Sequence, residues 1–168
     1  MPDLRYSELA VPKSSSSNST SPSASRPKPR PAILLVEDYD DAREMYRDYL
    51  EYAGFDVQTA RDGHEALAKA RAVMPDLILM DLALPGMDGW EATRVLKNDP
   101  ATRHIVVVAL SAHALAAEGE RARLAGCDGF IAKPCLPPDL VEEMLAYLKA
   151  QPEEPSTPRS RRRRPTRS

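Results

Sequence analysis

The stretch Asp76-Leu77-Ile78-Leu79-Met80-Asp81-Leu82-Ala83-Leu84-Pro85-Gly86-Met87-Asp88-Gly89 decides how the rest of the chain is read. A continuous apolar run, Leu77 to Met80, delivers a carboxylate, Asp81, at its end. The chain then turns on Pro85-Gly86, and Asp88 opens a new helix. Short apolar runs bounded by turn residues are the mark of strands buried on both faces, as in parallel sheets. In open parallel sheets, ligands bind in the crevice beyond the carboxyl ends of the strands. Asp81 is expected at that edge. Alone, it could equally be an Asp that caps a turn, so the weight falls on what the other strand ends carry.

Outward from this stretch the pattern repeats. Upstream, Ile33-Leu34-Leu35-Val36 is an apolar strand running into Glu37-Asp38. Ala42, Met45, Tyr46, Tyr49, Leu50 and Ala53 follow at helical spacing, and Gly54 stops that helix. Phe55 to Ala60 suits a second strand. Asp62-Gly63-His64-Glu65 has the form of a capping box, with Asp62 as the cap and Glu65 reaching back. Ala66, Leu67, Ala70 and Val73 continue the helix toward Pro75.

Downstream, Asp88-Gly89-Trp90-Glu91 repeats the capping pattern and starts a helix to about Lys97. Ile105-Val106-Val107-Val108-Ala109-Leu110 is the most β-branched run in the chain and reads as a central fourth strand. A helix from about His113 to Ala125 ends at Gly126. Gly129 to Ala132 is a brief fifth strand meeting Lys133-Pro134. The last helix opens on Pro137-Pro138-Asp139, where proline suits a first turn. Its apolar face is Leu140, Val141, Met144, Leu145 and Leu148.

Five strands alternating with five helices predict an α/β fold with right-handed crossovers. Length and strand count favour a flavodoxin-like (βα)5 three-layer sandwich, its five-stranded parallel sheet in the order 2-1-3-4-5.

Composition sets the outer limits. A chain of 168 residues with a hydrophobic fraction of 42% has room for one ordinary domain with tails. Residues 12–31 are nearly all Ser, Pro, Lys, Arg, Ala, Asn and Thr, without a hydrophobic period, which predicts disorder. Residues 1–30 are assigned to one disordered N-terminal segment, although the more mixed residues 1–11 read either as an untethered end or as a short docking segment. The domain spans 31–150, and an Arg-rich disordered tail spans 151–168.

The net charge of -2 hides a division. Residues 1–30 carry Arg5, Lys13, Arg26, Lys28 and Arg30 against Asp3 and Glu8, and the tail carries six arginines against Glu153 and Glu154. The middle is therefore strongly acidic. The arginine run has three readings: a solvated tail, nonspecific contact with nucleic acid, or contact with an anionic surface, be it a membrane or the protein's own acidic body.

No stretch approaches the ~18 apolar residues of a membrane span, and Met1-Pro2-Asp3-Leu4-Arg5 lacks the layout of a signal peptide. Cytoplasmic placement is the expectation. Cys127 and Cys135 have no CxxC spacing, which favours reduced thiols over a disulfide or a metal site.

In a sheet of that order, strands one, three, four and five end in Glu37-Asp38, Asp81, Ser111 and Lys133. Clustered carboxylates repel, and a hard divalent cation relieves the repulsion. Mg²⁺ takes a few carboxylates and keeps several waters, whereas Zn²⁺ is disfavoured because the set holds no His or Cys. A cation, a lysine and a hydroxyl around one carboxylate make an apparatus for stabilising a phosphoryl group, with Asp81 as the nucleophile.

With these motifs assembled, residues from about Pro31 to Ala150 resemble a response-regulator receiver domain of two-component signalling. The resemblance is carried by Ile33-Leu34-Leu35-Val36-Glu37-Asp38, Met80-Asp81-Leu82-Ala83-Leu84-Pro85-Gly86-Met87-Asp88-Gly89, Leu110-Ser111-Ala112 and Gly129-Phe130-Ile131-Ala132-Lys133-Pro134. It implies that Asp81 accepts phosphate from a sensor histidine kinase or a histidine phosphotransfer protein. It also implies that Glu37, Asp38, Asp81 and the backbone carbonyl of Ala83 hold Mg²⁺. Ser111 would bind a phosphoryl oxygen, Lys133 would pair with the phosphoryl group, and Phe130 would be the switch aromatic.

The sequence shows no output module, so the expectation is a single-domain regulator acting through protein contacts. The family's usual partner face is the fourth helix, fifth strand and fifth helix. In this chain it corresponds to Ala114 to Ala125, Phe130 to Lys133, and the exposed side of Pro138 to Lys149.

His64, His104 and His113 do not fit a phosphorylatable histidine, which normally sits on a helical bundle. His113 lies two residues past Ser111 and is expected near the mouth of the pocket. A Mg²⁺-dependent phosphohydrolase would want a second acid/base carboxylate close after the nucleophile, where Ala83 stands. An interaction domain that had lost its chemistry would not be expected to retain this whole set. Nucleotide-binding domains are disfavoured because neither GxGxxG nor GxxxxGK[ST] occurs.

Overall fold

The computed structural model describes residues 29–112 and 116–151. The expectations for residues 1–28, for His113 and Ala114 and for the arginine tail lie outside the described residues. The elements run β1 (Ala32–Val36), α1 (Asp40–Tyr52), β2 (Asp56–Ala60), α2 (Gly63–Val73), β3 (Leu77–Asp81), α3 (Gly89–Asn98), β4 (Val106–Ser111), α4 (Ala116–Ala125), β5 (Gly129–Ala132) and α5 (Pro137–Lys149). All strand pairs are parallel and the sheet order is β2-β1-β3-β4-β5. That is the flavodoxin-like arrangement the apolar runs predict.

Two apolar layers close on the sheet, and strand parity sorts the residues between them. Ile33, Leu35, Leu77, Leu79, Val106, Val108, Leu110 and Ile131 pack with Tyr46 and Leu50 of α1 and Leu140 and Met144 of α5. Leu34, Val36, Ile78, Met80 and Val107 face the other way, onto Ala66, Leu67 and Ala70 of α2 and Ala92 and Leu96 of α3. β3 and β4 are buried at every position, as central strands covered on both faces must be.

The helix starts largely follow the cap signals. Asp62 Oδ1 accepts the Glu65 amide at 2.8 Å, and Asp88 Oδ1 accepts the Glu91 amide at 2.8 Å. The return bond of the first box differs from expectation. Glu65 Oε2 takes the amide of Arg61 at 2.9 Å, one residue before the cap. The N-cap of α2 is fully extended (Asp62 φ -150°, ψ 173°), and Glu65 is also held by Lys69 one turn on.

Four residues assigned to apolar faces point outward: Met45, Ala53, Val73 and Leu145 are all exposed. Arg43, which no apolar pattern marks, is buried instead. β4 runs one residue further than its apolar run, because Ser111 is still paired with Ala132 of β5.

One glycine is demanded by packing. A side chain at Gly89 would collide with the Asp81 carbonyl oxygen and the Leu82 backbone. The first turn of α3 can therefore lie against the end of β3 only with glycine at that position.

Candidate functional site

The sheet register brings the predicted residues together. Val36 is level with Met80, Asp81 with Leu110, and Ser111 with Ala132. Glu37 and Asp81 thus stand side by side just past a shared level. Ser111 and Lys133 each lie one step further along neighbouring strands. Backbone bonds hold these ends in place: Glu37 N to Ala60 O at 3.0 Å, Leu82 N to Leu110 O at 3.0 Å, and Lys133 N to Ser111 O at 2.6 Å.

Parity then separates two groups. Glu37, Asp81 and Lys133 continue the series that faces α1 and α5, following Leu35, Leu79 and Ile131. Ser111 continues the opposite series from Val107 and Ala109. Phe130 lies on that same side, packed with Leu82, Trp90, Ala109, Ala122 and Ala125 beneath α4. The ionic groups occupy one side of the strand ends, and the hydroxyl and the aromatic occupy the other.

On the ionic side, Lys133 Nζ lies 2.5 Å from Glu37 Oε2 and 3.3 Å from Asp81 Oδ2. Both carboxylates are buried, whereas Asp38 is exposed. Asp81 Oδ1 accepts the amide of Ala83 at 2.9 Å, and Glu37 Oε1 accepts that of Tyr39 at 3.2 Å. One carboxylate oxygen from each of Glu37, Asp38 and Asp81 lies within 4.8 Å of the others, and no other such group of three occurs among the described residues.

The electrostatics show the strain of this crowding. Burial pushes the Glu37 carboxyl above its ordinary value, opposed by the Lys133 hydrogen bond and reinforced by the nearby charge of Asp81. Desolvation pulls Lys133 down, but its bond to Glu37 and the charges of Asp81 and Glu37 outweigh this, and its affinity for the proton rises. Two buried carboxylates thus share one ammonium, and the exposed Asp38 carboxylate adds a third negative charge beside them.

The donor set suits a hard divalent cation. All three side chains offer oxygen, and octahedral Mg²⁺ with ligands at ~2.0–2.1 Å places them ~3–4 Å apart. The observed spread needs only a small contraction. Ala83 is exposed two residues beyond Asp81, with its amide turned to that carboxylate.

Sequence reasoning missed Arg43, whose guanidinium donates to the Glu37 and Asp38 carbonyls. An arginine one turn into an acidic helix carries no signal in its spacing. The pocket on the α4 side is also new. About 190 Å³ opens between α4 and β5, lined by Ala122, Arg123, Cys127 and Phe130 among others. Cys127 and Cys135 are both free, and burial raises both thiols above their ordinary values.

A family model described as the response regulator receiver domain matches residues 33–145. The polar-differentiation response regulator DivK of Brucella anthropi is 41% identical over 117 residues, covering 70% of this chain and 95% of that protein. DivK of Brucella ovis has the same identity and coverage.

Among solved structures, the chemotaxis response regulator CheY4 of Vibrio cholerae superposes with a TM-score of 0.67 at 28% identity, over 70% of this chain and 98% of that one. The receiver domain of sensor histidine kinase PA1611 from Pseudomonas aeruginosa, solved with a magnesium ion coordinated in its active-site cleft, gives a TM-score of 0.67 at 31% identity. It covers 72% of this chain and 99% of that one. With its fold, its acidic strand-end cluster and these relatives in agreement, the chain belongs to the response regulator receiver domain family of two-component signalling.

Proposed function

We propose that this protein is a phosphoacceptor of a two-component phosphorelay, with Asp81 taking the phosphoryl group from a phosphohistidine on a sensor kinase or a phosphotransfer protein. The observation that carries this reading is the setting of Asp81. It is a buried carboxylate at the end of β3, within 4.8 Å of two other carboxylates and 3.3 Å from a lysine ammonium.

In the transfer, an Asp81 carboxylate oxygen forms a bond to phosphorus as the donor's P–N bond breaks. The electron pair of that bond returns to the imidazole, and the product is an acyl phosphate. Glu37, Asp38 and Asp81 would hold Mg²⁺ with the Ala83 carbonyl. When bound, the ion supplies positive charge against the phosphoryl oxygens.

Lys133 is already in place to do the same from the protein side. It must release one carboxylate as it turns to the phosphoryl group, and its looser contact is the one to Asp81. Ser111 offers a hydroxyl to a phosphoryl oxygen from the opposite side of the strand ends. Because Phe130 shares that side, a shift at Ser111 has a packed route to α4. A phenylalanine there carries no hydroxyl to fix an outward position by a hydrogen bond.

The output is proposed to be protein contact through α4, β5 and α5, where Leu124 is largely exposed and Leu145 is partly so. A cytoplasmic site of action is part of the same proposal; no described helix is long and apolar enough to cross a membrane. Acceptance followed by signalling is favoured over a phosphohydrolase cycle. The residue two past Asp81, where a second acid/base carboxylate would stand, is an alanine.

The test is intact mass spectrometry after incubation with Mg²⁺ and a small acyl-phosphate donor. One acid-labile phosphoryl group is expected on Asp81. The nearly isosteric Asp81→Asn protein should fold and take none. Undiminished labelling in that variant would place the acceptor elsewhere.

A further inference from the structure

The loop that carries two of the three clustered carboxylates runs directly into α1. Tyr39, the N-cap, makes no side-chain capping bond, and its amide donates to Glu37 Oε1 at 3.2 Å. A further connection is made from inside the helix. Arg43, one turn in, is buried, with 7% of its surface exposed. Its Nη1 donates to the Glu37 carbonyl at 3.0 Å and to the Asp38 carbonyl at 3.3 Å, while its Nη2 pairs with the Asp40 carboxylate.

Arginine is rarely buried unless it is paired, and the rest of this helix face is apolar, with Tyr46 and Leu50 packed into the core. A leucine at position 43 would suit that face but would leave both carbonyls without a donor.

We propose that Arg43 is a positioning residue for the cation site. It fixes the peptide planes of Glu37 and Asp38 so that their carboxylates converge on Asp81. This inference rests on the cation-binding reading above and adds a residue that would touch neither the ion nor the phosphoryl group. The planar fork of a guanidinium suits the task because it addresses two successive carbonyls and a carboxylate from one fixed plane. An ammonium has no such preset geometry.

The proposal has a sign that separates it from plain electrostatics. Arg43 is a cation beside an anionic site, and by charge alone its removal should tighten the binding of a divalent cation. A positioning role demands the opposite.

The experiment titrates MgCl₂ into the full chain and into its Arg43→Gln and Arg43→Lys variants. NMR follows the amides of Tyr39 and Ala83, which donate to Glu37 and Asp81. Thermal unfolding without Mg²⁺ is recorded alongside. Residues that orient metal ligands typically account for ~10–100-fold in affinity. Folded Arg43→Gln should therefore bind Mg²⁺ about tenfold more weakly or worse, with Arg43→Lys in between.

A residue that served stability alone would lower the melting temperature and leave the affinity of the folded protein unchanged. Equal or tighter Mg²⁺ binding in Arg43→Gln overturns the inference. If that variant does not fold, Arg43→Lys decides, since it keeps the charge and most of the bulk; unchanged affinity there overturns it as well. Failure of the unsubstituted protein to bind Mg²⁺ would instead refute the cation-site reading itself.

Discussion

The two edges of the sheet use the same residue types for opposite ends. At the amino edge, Asp76 Oδ2 accepts the amide of Ala32, the first residue of β1, at 2.7 Å. Asp128 Oδ2 accepts the Val107 amide at 2.8 Å and the Lys97 ammonium at 2.6 Å, while Lys97 also reaches the Ile105 carbonyl at 2.7 Å. Each of these carboxylates has a strand amide of its own, and Asp128 has a lysine besides.

At the carboxyl edge, Glu37 and Asp81 share a single ammonium, Asp38 adds a third carboxylate within 4.8 Å of both, and burial works against the charge of Glu37. An Asp or a Lys is therefore not functional by type. Balance of charge makes a fastening, and a local excess of anion makes the place where we propose a cation and a phosphoryl group are held.

The strongest way to break this comparison is to neutralise the excess. Glu37→Gln combined with Asp38→Asn removes two of the proposed direct ligands, and the expected loss exceeds the ~10–100-fold seen for supporting residues. Calorimetric titration should show Mg²⁺ affinity down by more than about 100-fold, with labelling at Asp81 falling in step. Metal-free thermal stability should hold or rise, since repulsion is relieved and Lys133 keeps Asp81. A large fall in metal-free melting temperature would mean that this edge, too, is a fastening.

The converse change belongs to the amino edge. Asp128→Ala takes the acceptor from both the Val107 amide and Lys97. It should cost about 1–3 kcal/mol in urea unfolding, the penalty for stranding a partly buried polar group. Mg²⁺ affinity and labelling should not change. Asp76→Ala loses a single exposed bond and should cost only about 0.5–1.5 kcal/mol. Loss of phosphorylation in either folded variant would undo the division between the edges.

The smallest effect is in pH. The folded-state pKa of Glu37 is raised, so the stability that its protonated form contributes is present below its unfolded pKa and is lost as pH rises through the folded value. The urea midpoint of the metal-free protein, measured relative to Glu37→Gln, should therefore fall as pH climbs past the ordinary carboxylate range. Mg²⁺ binding, which needs the charged form, should weaken as pH is lowered through the same interval. Parallel stability curves for the two proteins would show that burial does not strain this carboxylate.

Much of the architecture is legible without coordinates, because it rests on local regularities. The apolar runs at Ile33, Leu77 and Ile105 announce strands that no surface position could hold. Asp62 and Asp88 announce helix starts through a bond only three residues long. Alternation of the two element types then leaves few topologies. Together these place Asp81, Ser111 and Lys133 at strand ends on one edge.

Charged side chains behave differently, since their partners are set by register between distant segments. Nothing within a few residues of Lys133 indicates that it grips Glu37, 96 positions away, more closely than Asp81. The apolar stripe of α1 reads as including Met45, yet the way α1 seats on the sheet leaves that residue in water. It draws Arg43 inside, because two loop carbonyls need a donor there.

The sequence by itself therefore determined the order of elements and the identity of the strand-end groups, through periodicities of two and 3.6 residues that any short segment displays. Only the tertiary structure decided which face each group takes and how donors and acceptors are shared among them. A hydrogen bond or an ion pair is a contact of a few ångströms, and only the closed sheet brings residues so far apart in the chain to that distance.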